Sequence, residues 1–323
     1  MIMLFLVGSE SQTQSRGPYE ATVKFELVYS GSAYDYFRSH KRDFYGQGDG
    51  VESLLAKYLS SRKVLGHKTL LFIDIGAAPF DGQCFVTYAV DLFGCDKERT
   101  MYYAFEPANM PLLAAHIFSN TTWKQSVCIS LVEAGASSTS GSAEMLANEK
   151  NTASLEHASL GRQGNLRNVT TVALDDFLGH VKHNFVNFLK IDTEGHDFYV
   201  LQGARKLIRE RRVHVVIIEY SDKMNAAFWT ASYGNRSVTK PRDIQGPTLK
   251  KVVMQMRTFG YSAYLIGVNG GLLLTESVWD ERFEFCSDPY NLGFGTGVCW
   301  ADVAFINELY VEVQPVSTNL SDI

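Results

Sequence analysis

The sequence predicts an α/β protein built on a doubly wound, mostly parallel sheet. Three observations lead there. Short apolar runs alternate with stretches whose apolar residues recur at helical spacing, the order expected of strand–helix units. Two of the runs, 69–77 and 213–220, are apolar almost throughout, as strands covered on both faces must be. Several runs also end at a carboxylate: Asp74, Glu106, Asp192 with Glu194, and Glu219. Open α/β sheets bind their ligands outside the carboxyl ends of their strands, where these acids fall.

The elements follow in order. Residues 1–7 are apolar but far shorter than the roughly 20 residues a membrane helix needs, and they lack the basic flank of a signal peptide. A polar stretch, 8–17, leads into an aromatic-rich segment, 19–45, which reads as an accessory packing layer. After the glycine-rich break at 46–50, residues 51–61 carry Leu54, Leu55, Tyr58 and Leu59 on one helical face. The run 69–77 is the first core strand. The loop 78–82 supplies Asp81 as a candidate N-cap, and a helix follows with Phe85, Val86, Ala89 and Val90 on one side. Residues 102–107 form the second strand. Pro111 stands in the first turn of the next helix, where a missing N–H costs nothing. Residues 126–136 read as a third strand, 137–168 as a polar hairpin or flap, and 169–174 as a return to strand. Asp175 and Asp176 open a short helix, a position where capping is commoner than metal binding.

The next unit is the most informative. Residues 187–191 read as a buried strand, and 197–208 as one helix with Phe198, Leu201, Ala204 and Ile208 at helical spacing. Between them stands Asp192-Thr193-Glu194-Gly195-His196. Its two acids could do no more than cap the helix. The earlier Asp74-Ile75-Gly76 end favours a shared site instead. Residues 213–220 form another strand, and Leu249, Val252, Val253, Met256 and Phe259 mark a helix closed by Gly260 at C′. Residues 261–268 alternate as a strand, Asn269-Gly270-Gly271 turns the chain, and 302–307 is the last strand before a polar tail.

Composition narrows the function. A net charge of −5 argues against a nucleic-acid binder, which needs a basic face for phosphates. The local basic run of Arg205, Lys206, Arg209, Arg211 and Arg212 reads as a solvated helix end. Cys84, Cys95, Cys128, Cys286 and Cys299 show no C-x-x-C spacing, so reduced core thiols are expected rather than zinc or a redox pair. Asn-x-Ser/Thr triplets at Asn120, Asn168, Asn235 and Asn319 bear on glycosylation only in a secreted chain. No other stretch reads as membrane-spanning. The cytoplasm is the default compartment, with a trimmed N-terminal signal or anchor as the alternative.

If 69–77 is the first strand and 187–191 the fourth, the reversal of strand order sets them side by side. Asp74, Gly76, Asp192 and Glu194 then face one cleft. Glu106 is placed to accept hydrogen bonds from a ribose diol, and Gly76 lets the backbone approach a ligand. The dinucleotide fingerprint G-x-G-x-x-G is absent, the next glycine after Gly76 being Gly82. A carboxylate-lined cleft suits a cationic cofactor, and S-adenosylmethionine carries a sulfonium and an amino group.

In these blocks the chain resembles the FkbM family of S-adenosylmethionine-dependent methyltransferases. The blocks are Phe72-Ile73-Asp74-Ile75-Gly76-Ala77, Ala104-Phe105-Glu106-Pro107, Val172-Ala173-Leu174-Asp175-Asp176-Phe177-Leu178, and Leu189-Lys190-Ile191-Asp192-Thr193-Glu194-Gly195 with Val200-Leu201-Gln202-Gly203-Ala204. The resemblance implies a Rossmann-like class I methyltransferase sheet of seven strands whose last hairpin is antiparallel. The corresponding domain spans 67–310 with a flap at 137–168, between an N-terminal extension, 1–66, and a polar tail, 311–323. The resemblance also implies S-adenosylmethionine as methyl donor and transfer to a hydroxyl on a sugar, glycan or small natural product. Asp74, Gly76 and Ala77 would line the methionine end, Glu106 the ribose, Ala136 the adenine, and Asp192 and Glu194 the methyl-transfer edge. The chain departs from the family after Ala77, where Ala78-Pro79-Phe80-Asp81-Gly82 replaces a shorter Asn-x-Gly.

A hydroxyl is a poor nucleophile until it loses its proton, so a base is expected: Glu194 first, His196 second. A divalent cation on Asp192, Glu194 or Glu219 is the variant reading and not the expectation. Two rival classes remain. A nicotinamide-dependent oxidoreductase is disfavoured by the missing glycines, and a non-catalytic adenosyl-binding module is suggested by the altered loop.

Overall fold

The structure is a computed structural model that describes residues 4–7, 24–27, 69–77, 85–96, 98–119, 128–147, 153–154, 165–181, 185–193, 195–221, 248–267, 270–276, 279 and 300–310. The polar stretch 8–17, the aromatic segment apart from 24–27, the helix expected at 51–61, the loop 78–82 and the tail beyond 310 lie outside the described residues. So do Cys84, Cys286, Cys299, Asn120, Asn235 and Asn319.

An antiparallel pair, β1 (Leu4–Val7) and β2 (Lys24–Leu27), comes first. The core begins with β3 (Leu70–Ile75), α1 (Phe85–Phe93), β4 (Thr100–Phe105), α2 (Met110–Ser119) and β5 (Ile129–Val132). Then come β6 (Gly135–Ala136), β7 (Gly141–Ala147), β8 (Ala153–Ser154), β9 (Asn165–Val172), α3 (Leu174–Gly179) and β10 (Val186–Ile191). The chain continues through α4 (Asp197–Gly203), α5 (Arg205–Arg209), β11 (Val213–Ser221), α6 (Leu249–Thr258), β12 (Tyr261–Gly267), β13 (Gly270–Leu274) and β14 (Trp300–Asn307).

Among the described residues, eight strands form the large sheet in the order β13-β12-β14-β11-β10-β3-β4-β5. The run from β11 to β5 is parallel throughout, and β14, β12 and β13 pair antiparallel. From β3 the chain steps outward to β4 and β5, then returns on the other flank of β3 as β10. The expected reversal therefore falls between β3 and β10. The expectation of seven strands is corrected to eight among the described residues. Gly267 pairs with Gly270, so the chain folds back along β12 and adds β13 at the edge.

All six residues of β3 are buried, and alternate side chains serve opposite faces of the sheet. Leu71, Ile73 and Ile75 join the core cluster that holds Phe198, Leu201, Val253 and Met256, whereas Leu70 and Phe72 join Phe85, Val86, Leu113 and Ile117. Helices thus cover both faces, as the apolar run required. Where β10 begins, Asn187 Oδ1 accepts the Leu71 N–H at 2.9 Å, a side chain satisfying a backbone donor inside the sheet.

Three local expectations are corrected. The third strand does not run to Ala136. The Ala134 N–H donates to the Val132 carbonyl at 2.9 Å in a tight bend, and β6 leaves to pair with β9 in a second sheet ordered β6-β9-β7-β8. Residues 197–208 are not one helix, because the chain breaks at Ala204 (φ −104°, ψ 10°). Gly203 lies so close to the Ser137 carbonyl that a Cβ would overlap it. The new helix is capped from afar, since the Asp175 carboxylate accepts the N–H groups of Lys206 at 2.8 Å and Leu207 at 2.9 Å. Finally, Cys95 and Cys128 are not reduced thiols. They form a disulfide with Cα atoms 5.7 Å apart, joining the end of α1 to the start of β5 across 33 residues, a pairing that spacing does not reveal.

Both ends of α6 are closed locally, and Gly260 takes its expected place. Thr248 Oγ1 accepts the Lys251 N–H at 3.3 Å at the start of α6, and Gly260 has φ +82° just beyond its end. The basic run is less solvated than expected. Arg211 takes φ +55°, and its Nε donates to the Phe259 carbonyl at 2.9 Å, with its guanidinium lying against Gly260.

The cap on α5 gives a direct check. Asp175→Ala removes the acceptor of two helix N–H groups and is expected to cost about 1–2 kcal/mol, read as a lower urea midpoint. Asp176→Ala, at a residue that accepts no helix N–H, serves as the reference.

Candidate functional site

The tips of β3 and β10 adjoin. Lys190 and Ile191 pair in register with Asp74 and Ile75, and the Asp192 N–H donates to the Ile75 carbonyl at 2.9 Å. The stitching continues across the sheet. Gly76 and Ala77 both donate to the Phe105 carbonyl at 3.1 Å, and Glu106 donates to the Val132 carbonyl at 3.1 Å. Four neighbouring strand ends are therefore tied together just where the chain leaves each strand. Gly76 has φ +83°, and a Cβ there would overlap the Asp192 carbonyl. The glycine expected to make room for a ligand is required by the chain's own backbone.

This edge concentrates carboxylates. Asp74 is fully buried and by strand alternation shares a face with Lys190. Lys190 Nζ lies 3.1 Å from Asp192 Oδ2. Glu106 is buried, and burial pushes its carboxyl above the ordinary range, opposed by hydrogen bonds from the N–H groups of Ala108 at 2.8 Å and Asn109 at 2.7 Å. Both bonds fall on Oε1, which leaves Oε2 as the oxygen that can take another donor.

Asp197 was not among the expected site residues. It reads in sequence as an ordinary acid in a first helical turn, yet its side chain is fully buried. Its Oδ2 accepts from Thr193 Oγ1 at 2.7 Å and the Thr193 N–H at 3.3 Å, while Oδ1 has no hydrogen-bond partner among the described residues. Burial first, and the Asp192 charge second, push its carboxyl up to about 8. The only hint in the sequence is its spacing, four residues after Thr193 across a glycine.

The remaining expected residues fall as follows. Ala77 is buried beside Gly76. Ala136 is buried in β6, paired with Val172 in the second sheet rather than ending β5. His196 Nε2 lies 3.0 Å from Ser137 Oγ, and its ring stacks on Tyr199 with centroids 4.6 Å apart. Glu194 lies outside the described residues. Glu219 sits in β11 opposite Asp302. Among the described residues, no three His, Cys, Asp or Glu side chains come together to hold a metal ion.

The sequence matches the family described as Methyltransferase FkbM domain over residues 74–263, more than half of the 323-residue chain. The chain belongs to the FkbM methyltransferase family. Membership supports methyl transfer as the reaction class. No curated protein matches the chain. Among solved structures, the crystal structure of methyltransferase FkbM from Methylobacillus flagellatus KT aligns with 14% identity and a TM-score of 0.38. That alignment covers 74% of this chain and 44% of the other, so the chain spans less than half of that protein's length.

The FkbM motifs of this chain gain physical reasons. Gly203 of the Leu-x-Gly-Ala block lets α4 press against Ser137 and Ala173, and Asp175 of the Leu-Asp-Asp-Phe block caps the helix that follows. Asp192 closes the seam with β3.

Asp197 makes the pH response of stability testable. Its folded value lies above the ordinary 3.8, so between about 4 and 8 the native state holds a proton that the unfolded chain has released. Stability from this group is full at low pH and is lost as pH rises through about 8. Asp197→Asn cannot ionise, and its amide oxygen still accepts from Thr193. Urea unfolding of this variant from pH 5 to 8 is expected to show a flatter decline than wild type.

Proposed function

We propose that this FkbM chain is an S-adenosylmethionine-dependent methyltransferase acting on a hydroxyl oxygen of a sugar, glycan or small natural product. The observation that carries the reading is the seam between β3 and β10, which brings Asp74, Gly76 and Asp192 to one sheet edge. The donor set suits the cofactor. The edge holds carboxylates in excess over one ammonium, fitting a ligand whose reactive end is cationic, and the sequence lacks the G-x-G-x-x-G fingerprint of a phosphate cradle. The family generally uses this cofactor, and the order of the strands supports a Rossmann-like class I architecture. The core domain is read as 67–310, with a flap at 137–168.

S-adenosylmethionine, when bound, supplies an electrophilic methyl on a sulfonium. Asp74, Gly76 and Ala77 hold the methionine end, the Glu106 Oε2 accepts from the ribose, and Ala136 lies toward the adenine. Asp192, oriented by Lys190, borders the methyl-transfer edge. Glu194 removes the proton from the acceptor hydroxyl. His196 is the second choice, because its Nε2 is already engaged with Ser137. Positioning carries much of the barrier reduction, since displacement at a methyl carbon needs the attacking oxygen in line.

Titration calorimetry tests the reading. S-adenosylmethionine is expected to give heat of binding and NADH none, and Glu106→Gln is expected to weaken binding about tenfold, the loss of one charge-assisted hydrogen bond. Glu194→Gln should keep the binding heat and lose about 100- to 10,000-fold in turnover on a responsive acceptor. Heat with NADH alone would move the protein to the oxidoreductase class, and no heat with any adenosyl ligand to the binding-module class.

A further inference from the structure

Two features outside the methyl-transfer site point to the same compartment. The first is the Cys95–Cys128 disulfide. Disulfides persist in oxidising compartments and are rare in a reducing cytosol. Cys128 is almost completely buried at 3% exposure and Cys95 is exposed, and the two stand 33 residues apart rather than in the C-x-x-C spacing of a redox pair.

The second is the triplet Asn168-Val169-Thr170 in β9. A strand sends alternate side chains to opposite faces, so Asn168 and Thr170 share one face and Val169 takes the other. Val169 is buried, whereas Asn168 and Thr170 are exposed. Their cross-strand neighbours on β7, Glu144 and Ser142, are exposed too. Neither Asn168 nor Thr170 makes a side-chain hydrogen bond to a described residue. The sequon therefore lies on a polar, solvent-facing strip where a bulky substituent displaces no described residue. An N-x-Thr triplet alone is weak, because it arises by chance. A disulfide in the same chain supplies the context that the triplet lacks.

We propose that the chain folds in an oxidising lumen and carries an N-linked glycan on Asn168. The Asn168 amide nitrogen attacks the anomeric carbon of a polyisoprenyl-diphosphate-linked oligosaccharide, presented by a membrane-bound oligosaccharyl transferase. The new C–N bond replaces the bond from sugar carbon to phosphate oxygen, the lipid diphosphate leaves, and the nitrogen gives up a proton. The disulfide closes by exchange with an oxidised dithiol protein, which departs as its dithiol. This inference does not depend on the methyl-transfer reading.

The test is site-resolved. The full chain, secreted from insect cells behind a cleavable signal peptide, is digested without reduction and analysed by mass spectrometry. The expected result is a glycopeptide at Asn168, absent in Asn168→Gln and Thr170→Ala, together with a linked Cys95–Cys128 peptide. Because the transferase acts on nascent chain, poor folding of a variant does not hide the outcome. An unmodified Asn168 peptide, or alkylation of both cysteines before reduction, overturns the proposal. Thermal unfolding checks the compartment, using a variant with Asn120→Gln, Asn168→Gln, Asn235→Gln and Asn319→Gln together to remove N-linked glycans from the comparison. The secreted variant should melt about 5 °C or more above the same variant made in a reducing cytosol, and equal melting would contradict the lumenal assignment.

Discussion

The Asp192 carbonyl occupies the space where a side chain on residue 76 would stand, and the organisation of the site depends on that close approach. It is possible only for glycine, both for want of room and because φ is +83°. With the contact made, Asp192 N–H reaches the Ile75 carbonyl, and the two central strands end in register. Glu106 and Ala77 are tied to the same seam through β4. The acids at the strand tips are thus held by backbone hydrogen bonds, so a ligand meets an edge that is already formed.

A carboxylate held this way is costly unless something compensates for lost water. Each acid at the edge meets that cost differently. Asp192 has the Lys190 ammonium at 3.1 Å. Glu106 has two backbone N–H groups at the start of α2. Asp197 has Thr193 and an upward shift that keeps it protonated near neutrality. These solutions leave the edge with less negative charge than its composition suggests, while Asp74 stays at its centre. The chemistry is consistent with drawing in a cation without drawing in every cation.

Much of the fold was legible because the sheet's burial is written in uninterrupted apolar runs, and its reversal in two strands ending at Asp-x-Gly and Asp-x-Glu-Gly. Periodicity could not show what distant contacts decide. The break at Ala204 comes from Ser137 pressing on Gly203 and from Asp175 capping Lys206 and Leu207, residues roughly thirty to seventy positions away in sequence. Nothing local in the sequence marks the burial of Asp197. The Cys95–Cys128 pair was hidden for the same reason, and the return of β13 because two glycines read as a turn without a following strand. Asp74, Gly76, Glu106 and Asp192 were legible as a group through topology, whereas the Ser137–His196 pair joins segments that no pattern connects.

The central claim is that the seam between β3 and β10 holds the adenosyl donor. Hydrogen–deuterium exchange with and without S-adenosylmethionine tests it most directly, because amides near a bound ligand exchange more slowly wherever it sits. The account predicts new protection confined to peptides containing residues 74–77, 106–109 and 192–197, three segments far apart in sequence. Protection of the α5–α6 side of the sheet instead, with those three segments unchanged, would contradict it.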